Sequence, residues 1–429
     1  YMGYMISIFV VLYAFYYVSP RLSIEGTWKE KLKHYGRPLW KAFVYSVLGA
    51  ATASILLVPV FFNLLESKGQ IGGAMTFSFA FQINPLDILS KLSIGGFDNA
   101  SGWSAGPNLP NIYIGALGFI GYILFLTSTK IAKERKWAAG GVTLVFLVSF
   151  VNEFVSKIWH MGQNPAGFFF RFSWIFSFFM LILAYQVLKE KIEISRQGKL
   201  LAAAVLVLSA IYLYTKDFTY LPKTQPEVLT QFITNHFVMF VVLLIIGTAA
   251  GFYLYWDRSL KTKKEKKIVL LIAISIILVL AGLLLTGFLF SRVVLTLIIY
   301  LAVLALLRPR MNRLAVLTLS ALTVFELGYN AYLSQVTLGY ADVDKFVDAA
   351  VSVKRVTDSV QENVDQPFYR IATTFAYSRT FPSLVGYPGL STFSSSLERT
   401  TMDHFAYMGD QGINASTEYE NGTPLTDAL

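Results

Sequence analysis

The sequence predicts an all-α polytopic membrane bundle of about ten transmembrane helices, followed by the start of an extracytoplasmic α/β or β-rich domain. Three observations predict it. The 429 residues are 55% hydrophobic and only 14% charged, with a mean hydropathy of +0.54, whereas soluble domains carry about 25% charged residues. Apolar runs repeatedly approach the roughly 20 residues that cross about 30 Å of hydrocarbon. Lys and Arg gather in every second connector between those runs.

The runs lie near 1–19, 42–62, 112–129, 137–153, 169–188, 200–215, 236–256, 268–286, 290–307 and 314–332, read as helices from length and hydropathy. Connectors 20–41, 130–136, 189–199, 257–267 and 308–313 hold 23 Lys and Arg, against seven in the opposite set. Cationic loops stay in the cytoplasm. The expected topology therefore places loops 63–111, 154–168 and 216–235 outside the plasma membrane, with residues 1–332 as the bundle. Residues 333–429 become an extracytoplasmic domain that is expected to be incomplete. The same distribution reads the net charge of +10 as topology, so no nucleic-acid partner is expected. With no Cys, disulfides, thiolate zinc sites and Cys nucleophiles are excluded together. Tyr1 sits inside an apolar run without an initiator Met, and the natural N-terminus is expected upstream.

Loop 63–111 is far longer than a helix connection needs, and loops of that length are usually functional or disordered. Met75–Leu92 carries enough Phe, Ile and Leu for short helices lying in the interface plane. Gly95–Asn111 is rich in turn formers and amides, a composition suited to a polar pocket. Beyond Tyr332 hydropathy drops. Asp342–Val364 reads as an amphipathic helix, and Phe368–Phe375 and Leu384–Ser396 read as strands.

Candidate chemistry concentrates in 151–171, where Asn152, Glu153, Lys157, Trp159, His160, Gln163, Asn164 and Arg171 cluster at the outer ends of two spans. Arg171, inside Phe168-Phe-Phe-Arg-Phe-Ser-Trp174, suits a lipid phosphate; snorkelling to ordinary headgroups is the other reading. His160 is open to phosphate binding, acid–base work or a structural role. Asp87 and Asp98 are candidate general bases for an acceptor hydroxyl, with helix capping as the alternative for Asp87. Glu326 lies deep in a span, where a carboxylate is functional by default unless it pairs with a hydroxyl or with Arg292. Asp342-Val-Asp344 has the look of a metal-diphosphate pair, but an N-cap explains it better. The four His residues lack metal-pair spacing, so no metal site or cofactor is expected.

Three stretches resemble the bacterial YfhO family of membrane proteins: Asn84–Asp98, Gly106–Gly115 and Trp159–Trp174. Tyr369-Arg-Ile371 and Gly386–Arg399 resemble the start of that family's exported region, and the likeness runs in order through nearly the whole chain. The family is similar to GT-C glycosyltransferases, which take a sugar from a polyprenyl-phosphate carrier at the outer face. It is associated with decorating lipoteichoic acid and related polymers in Gram-positive envelopes. The resemblance implies a lipid-linked sugar donor, a teichoic-acid-like acceptor and membrane lipids as partners. It implies that His160 and Arg171 hold the carrier phosphate. Asp98, Asn111 and Asn164 would line the sugar pocket, with Trp159 and Glu153 as further sugar or acceptor contacts. GT-C enzymes generally place their catalytic acid in a first outer loop, which here would precede Tyr1. Two rival functions are a flippase or transporter of the lipid-linked sugar and a non-catalytic envelope scaffold.

Overall fold

The structure, a computed structural model, describes residues 2–20, 26–66, 78–96, 108–162, 168–190, 196–216, 218, 292–307, 311–336, 340–373, 378–394, 397–409, 411–413 and 416–418. It is mostly helical. The expected spans 236–256 and 268–286 lie outside the described residues. The chain divides into two compact units, one of Tyr1–Ala42, Phe77–His160 and Asn164–Leu338, the other of Phe43–Thr76, Met161–Gln163 and Gly339–Leu429.

The apolar runs become helices α1 (Met2–Val18), α2 (Trp28–Glu66), α3 (Gly115–Thr127), α4 (Lys133–Val151), α6 (Ser173–Lys189), α7 (Arg196–Thr215), α8 (Arg292–Leu306) and α9 (Arg313–Val336). A short α5 (Glu153–Trp159) follows α4. By length and composition, 28–63, 196–213 and 313–335 are apolar enough to cross a membrane, while α1, α3, α6 and 295–306 are shorter apolar helices.

The start of α2 differs from the expected 42–62 because the helix begins fourteen residues earlier. Thr27 and Glu30 form a reciprocal cap: Thr27 N–H and its hydroxyl donate to Glu30 Oε2 at 2.9 and 3.0 Å, and Glu30 N–H returns to Thr27 Oγ1 at 3.4 Å. This satisfies donors that a helix start otherwise leaves open.

The main apolar core of the first unit is built from α1, α3, α4, α6, α7, α8 and α9. Helices α3 and α6 approach closely at Gly121, where a Cβ would stand 2.8 Å from Ala184 Cβ and 3.1 Å from its Cα. Small residues permit this in apolar bundles. Tyr16 on α1 donates to Gln186 Oε1 on α6 at 3.0 Å. Lys199 on α7 donates to the carbonyls of Leu304 and Leu307, where α8 ends. A cation there meets the negative end of the helix dipole.

Within 75–92, where short interfacial helices are expected, the structure describes residues 78–92. The described part contains a 3-10 helix, Pro85–Leu92, whose Asn84 cap accepts from Leu86 N, and Ile88, Ser90, Lys91 and Leu92 are buried. The following turn penetrates among the helices. Ile94 N–H donates to Thr296 Oγ1 at 2.9 Å and Gly95 N–H to Asn330 Oδ1 at 2.8 Å. Arg292 Nη1 donates to Gly95 O at 3.2 Å, and Tyr300 hydroxyl to Leu92 O at 3.2 Å. Backbone polar groups removed from water need such partners, and side chains of α8 and α9 supply them.

In the second unit, α10 (Val343–Asn363) starts where Asp342 accepts from Asp344 N and Lys345 N. Its Val353 packs with Phe381, Val385 and Tyr387. A single π turn, Pro382–Gly386, α11 (Arg399–Tyr407), and strands β1 (Thr392–Phe393), β2 (Gln411–Ile413) and β3 (Ser416–Glu418) complete it. The sheet is antiparallel in the order β1-β3-β2. Residues 368–373, expected in a strand, form none. Instead Ile371 N–H donates to Pro388 O at 2.7 Å, a tie to the turn beside Gly389.

Candidate functional site

The site is built where the aromatic run 168–174 meets the end of the amide-rich run 95–111. Alternate aromatics of the run are drawn inward. Phe170 and Phe172 are buried, and Phe172 stacks on Trp159 with centroids 4.7 Å apart and planes 9° apart, and on Phe150 at 5.2 Å and 10°. Stacking in a packed core fixes ring positions. The turn that carries these rings brings its other side chains to a common edge. Phe168, Phe170, Arg171 and Ser173 line a cleft of about 520 Å³ with Met2, Asn108, Leu109 and Asn111.

The cleft has one cation, two amides and one hydroxyl on an otherwise apolar wall. Arg171 is half-buried, and its Nε donates to Phe168 O at 3.2 Å, which holds the guanidinium against its own turn. Asn111 is exposed and Asn108 buried, the latter accepting from Phe169 N at 3.4 Å. An arginine fork can meet two phosphate oxygens at once, amides read hydroxyls, and the rings suit an apolar chain.

His160 stands behind this wall rather than on it. It is 2% exposed, and its Nε2 lies 2.6 Å from Phe169 O. A carbonyl only accepts, so Nε2 carries the proton. Burial pulls the imidazole down to about 4; the Phe169 bond opposes this and the Arg171 charge adds to it. The ring is neutral at pH 7 and holds the turn that presents Arg171.

The other sequence candidates go elsewhere. Trp159, expected against sugar or acceptor, is 2% exposed, and its indole N–H donates to Ser149 Oγ at 2.9 Å. Its size and rings are used in the core. Glu153 pairs with buried Lys157 at 2.6 Å, and its backbone N–H donates to Ala80 O at 3.2 Å. Beside it Asn152 caps α5 and donates to Phe79 O at 3.0 Å. This polar pair thus ties segment 79–82 to the start of α5. Asp87 accepts from Tyr212 hydroxyl at 2.7 Å and from Lys216 Nζ at 2.6 and 2.8 Å. Its carboxylate pins the 3-10 helix to the end of α7 and raises Lys216 through that hydrogen bond. Asp98, Gln163 and Asn164 lie outside the described residues.

Glu326 on α9 is fully buried. It accepts from Tyr113 hydroxyl at 2.6 Å and from Ala116 N–H at 2.8 and 3.0 Å. The carboxylate caps the N-terminus of α3, where Gly115 has φ +74° and a Cβ would stand 3.0 Å from Leu327. A hydroxyl, not Arg292, is its partner. Sequence patterns do not single out Asn108 and Ser173. The signal available for Asn108 is its place in Gly106-Pro-Asn-Leu-Pro-Asn111, where flanking prolines restrict the backbone that carries it. Among the described residues, no three His, Asp or Glu side chains gather as a metal site requires.

The surface explains what solvent these helices need. Among the described residues of 28–63 none is buried, and Ile55, Leu56, Tyr45, Trp137 and Val324 are more than two-thirds exposed. Exposed apolar area on that scale is not left in water, so the class is an integral membrane protein. The family described as bacterial membrane protein YfhO matches residues 1–429, the whole chain, and the chain belongs to that family. No curated protein and no solved structure matches it.

Proposed function

We propose that this membrane protein of the cell envelope transfers a sugar from a polyprenyl-phosphate carrier to an envelope polymer such as lipoteichoic acid, at the outer face of the membrane. The observation that carries the reading is the cleft: Arg171 stands beside Asn108, Asn111 and Ser173, with Phe168, Phe170, Leu109 and Met2 around them. A phosphate, a sugar and an isoprenoid chain make three successive demands on a site, and these residue types meet them in one place.

In the proposed step an acceptor hydroxyl attacks the anomeric carbon. The new bond forms as the bond from that carbon to the phosphate oxygen breaks. The hydroxyl proton passes to a carboxylate, a role we assign to Asp98, and the carrier departs as polyprenyl phosphate. Arg171 stabilises the charge gathering on the leaving phosphate, where fixed donors act most strongly. Asp87, held by Lys216 and Tyr212, is not assigned this role. A transporter would call on Glu326 within the bundle, and that carboxylate is engaged by Tyr113 and Ala116.

The test is transfer of labelled sugar by the full-length protein in proteoliposomes supplied with polyprenyl-phosphate sugar and a teichoic-acid acceptor. Removing one donor from a developing anion costs about 10² to 10³ in rate, so R171Q is expected to lose transfer on that scale and R171K to keep part of it. Transfer unchanged in R171Q, or absent in the intact protein, overturns the proposal. Polymer glycosylation that survives His160→Ala and Arg171→Ala together would point to the scaffold reading.

A further inference from the structure

The cytoplasmic-side extension of α2 carries a feature that sugar transfer does not use. At 39 residues the helix is about 58 Å long at 1.5 Å per residue, roughly twice the hydrocarbon thickness. The apolar stretch starts after Lys41, so Trp28–Lys41 projects beyond it as helix. The reciprocal Thr27–Glu30 cap sets its first turn.

Lys29, Lys33, Arg37 and Lys41 recur every four residues along this extension, and residues four apart lie one above another on a helix. All four are exposed. The same face carries Gly36 directly beneath Trp40, and nothing stands within 4 Å of the position a Gly36 Cβ would take. The missing side chain leaves a shallow groove of about 550 Å³ lined by Lys33, Gly36, Arg37, Trp40 and Lys41. Glu30 is the single acid in 26–65, its Oε2 accepts from Thr27 at the helix start, and the row keeps a net positive charge. Trp40 is 65% exposed, a side chain that favours the boundary between headgroups and hydrocarbon.

We propose that this groove is a binding site for the phosphate headgroup of an anionic phospholipid of the cytoplasmic leaflet. Lys33, Arg37 and Lys41 take the phosphate, the gap at Gly36 admits the headgroup, and Trp40 packs against the start of the acyl chains. The occupant is a lipid because three cations and an interfacial ring converge where the apolar stretch of α2 begins. A soluble phosphate would have no use for the ring.

The full chain is placed in nanodiscs of phosphatidylcholine mixed with phosphatidylglycerol, and the lipid that remains bound after extraction is counted by native mass spectrometry. Wild type is expected to retain phosphatidylglycerol over phosphatidylcholine. Each cation near an anionic surface contributes about fivefold in affinity, so K33Q/R37Q should lower retention about 25-fold. G36L keeps every charge and fills the groove in an exposed helix, and should lower retention about tenfold, an amount equivalent to 1.4 kcal/mol. Equal retention of the two lipids by wild type overturns the site. Loss in K33Q/R37Q with full retention in G36L overturns the groove in favour of diffuse charge attraction. Release of the lipid by inorganic phosphate at equal concentration overturns the assignment to lipid.

Discussion

Replacing Glu326 by Ala should destabilise the bundle more than losing either partner of the solvent-facing Asp87–Lys216 pair. The carboxylate is fully buried and takes the Tyr113 hydroxyl at 2.6 Å and the Ala116 N–H at 2.8 and 3.0 Å. Glu326→Ala strands both donors, at about 1–3 kcal/mol each, and removes a negative charge from the first turn of α3, worth about 0.3–1 kcal/mol. The sum is about 2–7 kcal/mol. In lipid the unfolded state also finds partners, and couplings measured across membrane helices average about 0.6 kcal/mol with a maximum near 1.7. The observed loss should therefore fall toward the lower end, with a Tyr113–Glu326 coupling of about 1 kcal/mol. Denaturant unfolding of the purified protein in detergent, on E326A, Y113F and the double variant, measures both quantities. E326A unfolding within about 0.5 kcal/mol of wild type, or strict additivity in the double variant, would refute the assignment of Glu326 as the cap that joins α9 to α3.

Two further outcomes concern His160 and the Asp87–Lys216 pair. His160 is held neutral down to about 4 by burial, against about 6.5 for a free imidazole. Between those values the unfolded chain binds a proton that the folded one does not. Stability is thus level above pH 6.5 and declines as pH falls, by about 3 kcal/mol at pH 4. H160Q, which keeps a donor for Phe169 O, should abolish that decline in the unfolding midpoint; equal slopes in the two proteins would contradict the buried neutral ring. The Asp87–Lys216 pair is open to water at its lysine end, 39% exposed against 16% for Asp87, so D87N and K216Q should each cost about 1 kcal/mol. The two together should cost little more than one, and transfer should survive both. Transfer lost in D87N but kept in K216Q would instead make Asp87 the proton acceptor.

The helices were legible where a local property decides them. Runs read at 200–215 and 290–307 fold as Arg196–Thr215 and Arg292–Leu306, because hydropathy reports the solvent a segment needs. Hydropathy says nothing about how far a helix continues into water. The true start of α2 was written in Thr27-Trp-Lys-Glu30, a capping signature set before a charged stretch rather than an apolar one. Asp342 was readable as an N-cap because cap and helix are adjacent in sequence. In the site, Arg171 and Asn111 share one cleft, but the bond from His160 to Phe169 depends on burial that no local pattern shows. Asp87 finds Lys216 at a separation of 129 residues, beyond any pattern of spacing.

The polar residues inside the apolar runs gain their meaning from the segment that enters between them. A turn such as Leu92–Gly96 has backbone groups that no helix of its own satisfies, and irregular backbone is tolerated within an apolar bundle only where protein groups meet it. Thr296 and Asn330 accept the N–H groups of Ile94 and Gly95, while Arg292 and Tyr300 donate to the carbonyls of Gly95 and Leu92. Gly95 takes φ +68°, a conformation that L side chains rarely adopt, and a Cβ there would stand 2.8 Å from Arg292 Nη1, so the turn favours glycine. Four polar side chains on two helices thus serve one turn, which removes the need to read each as a separate point of chemistry. The same turn leads into the amide-rich run that ends at Asn108 and Asn111 in the cleft.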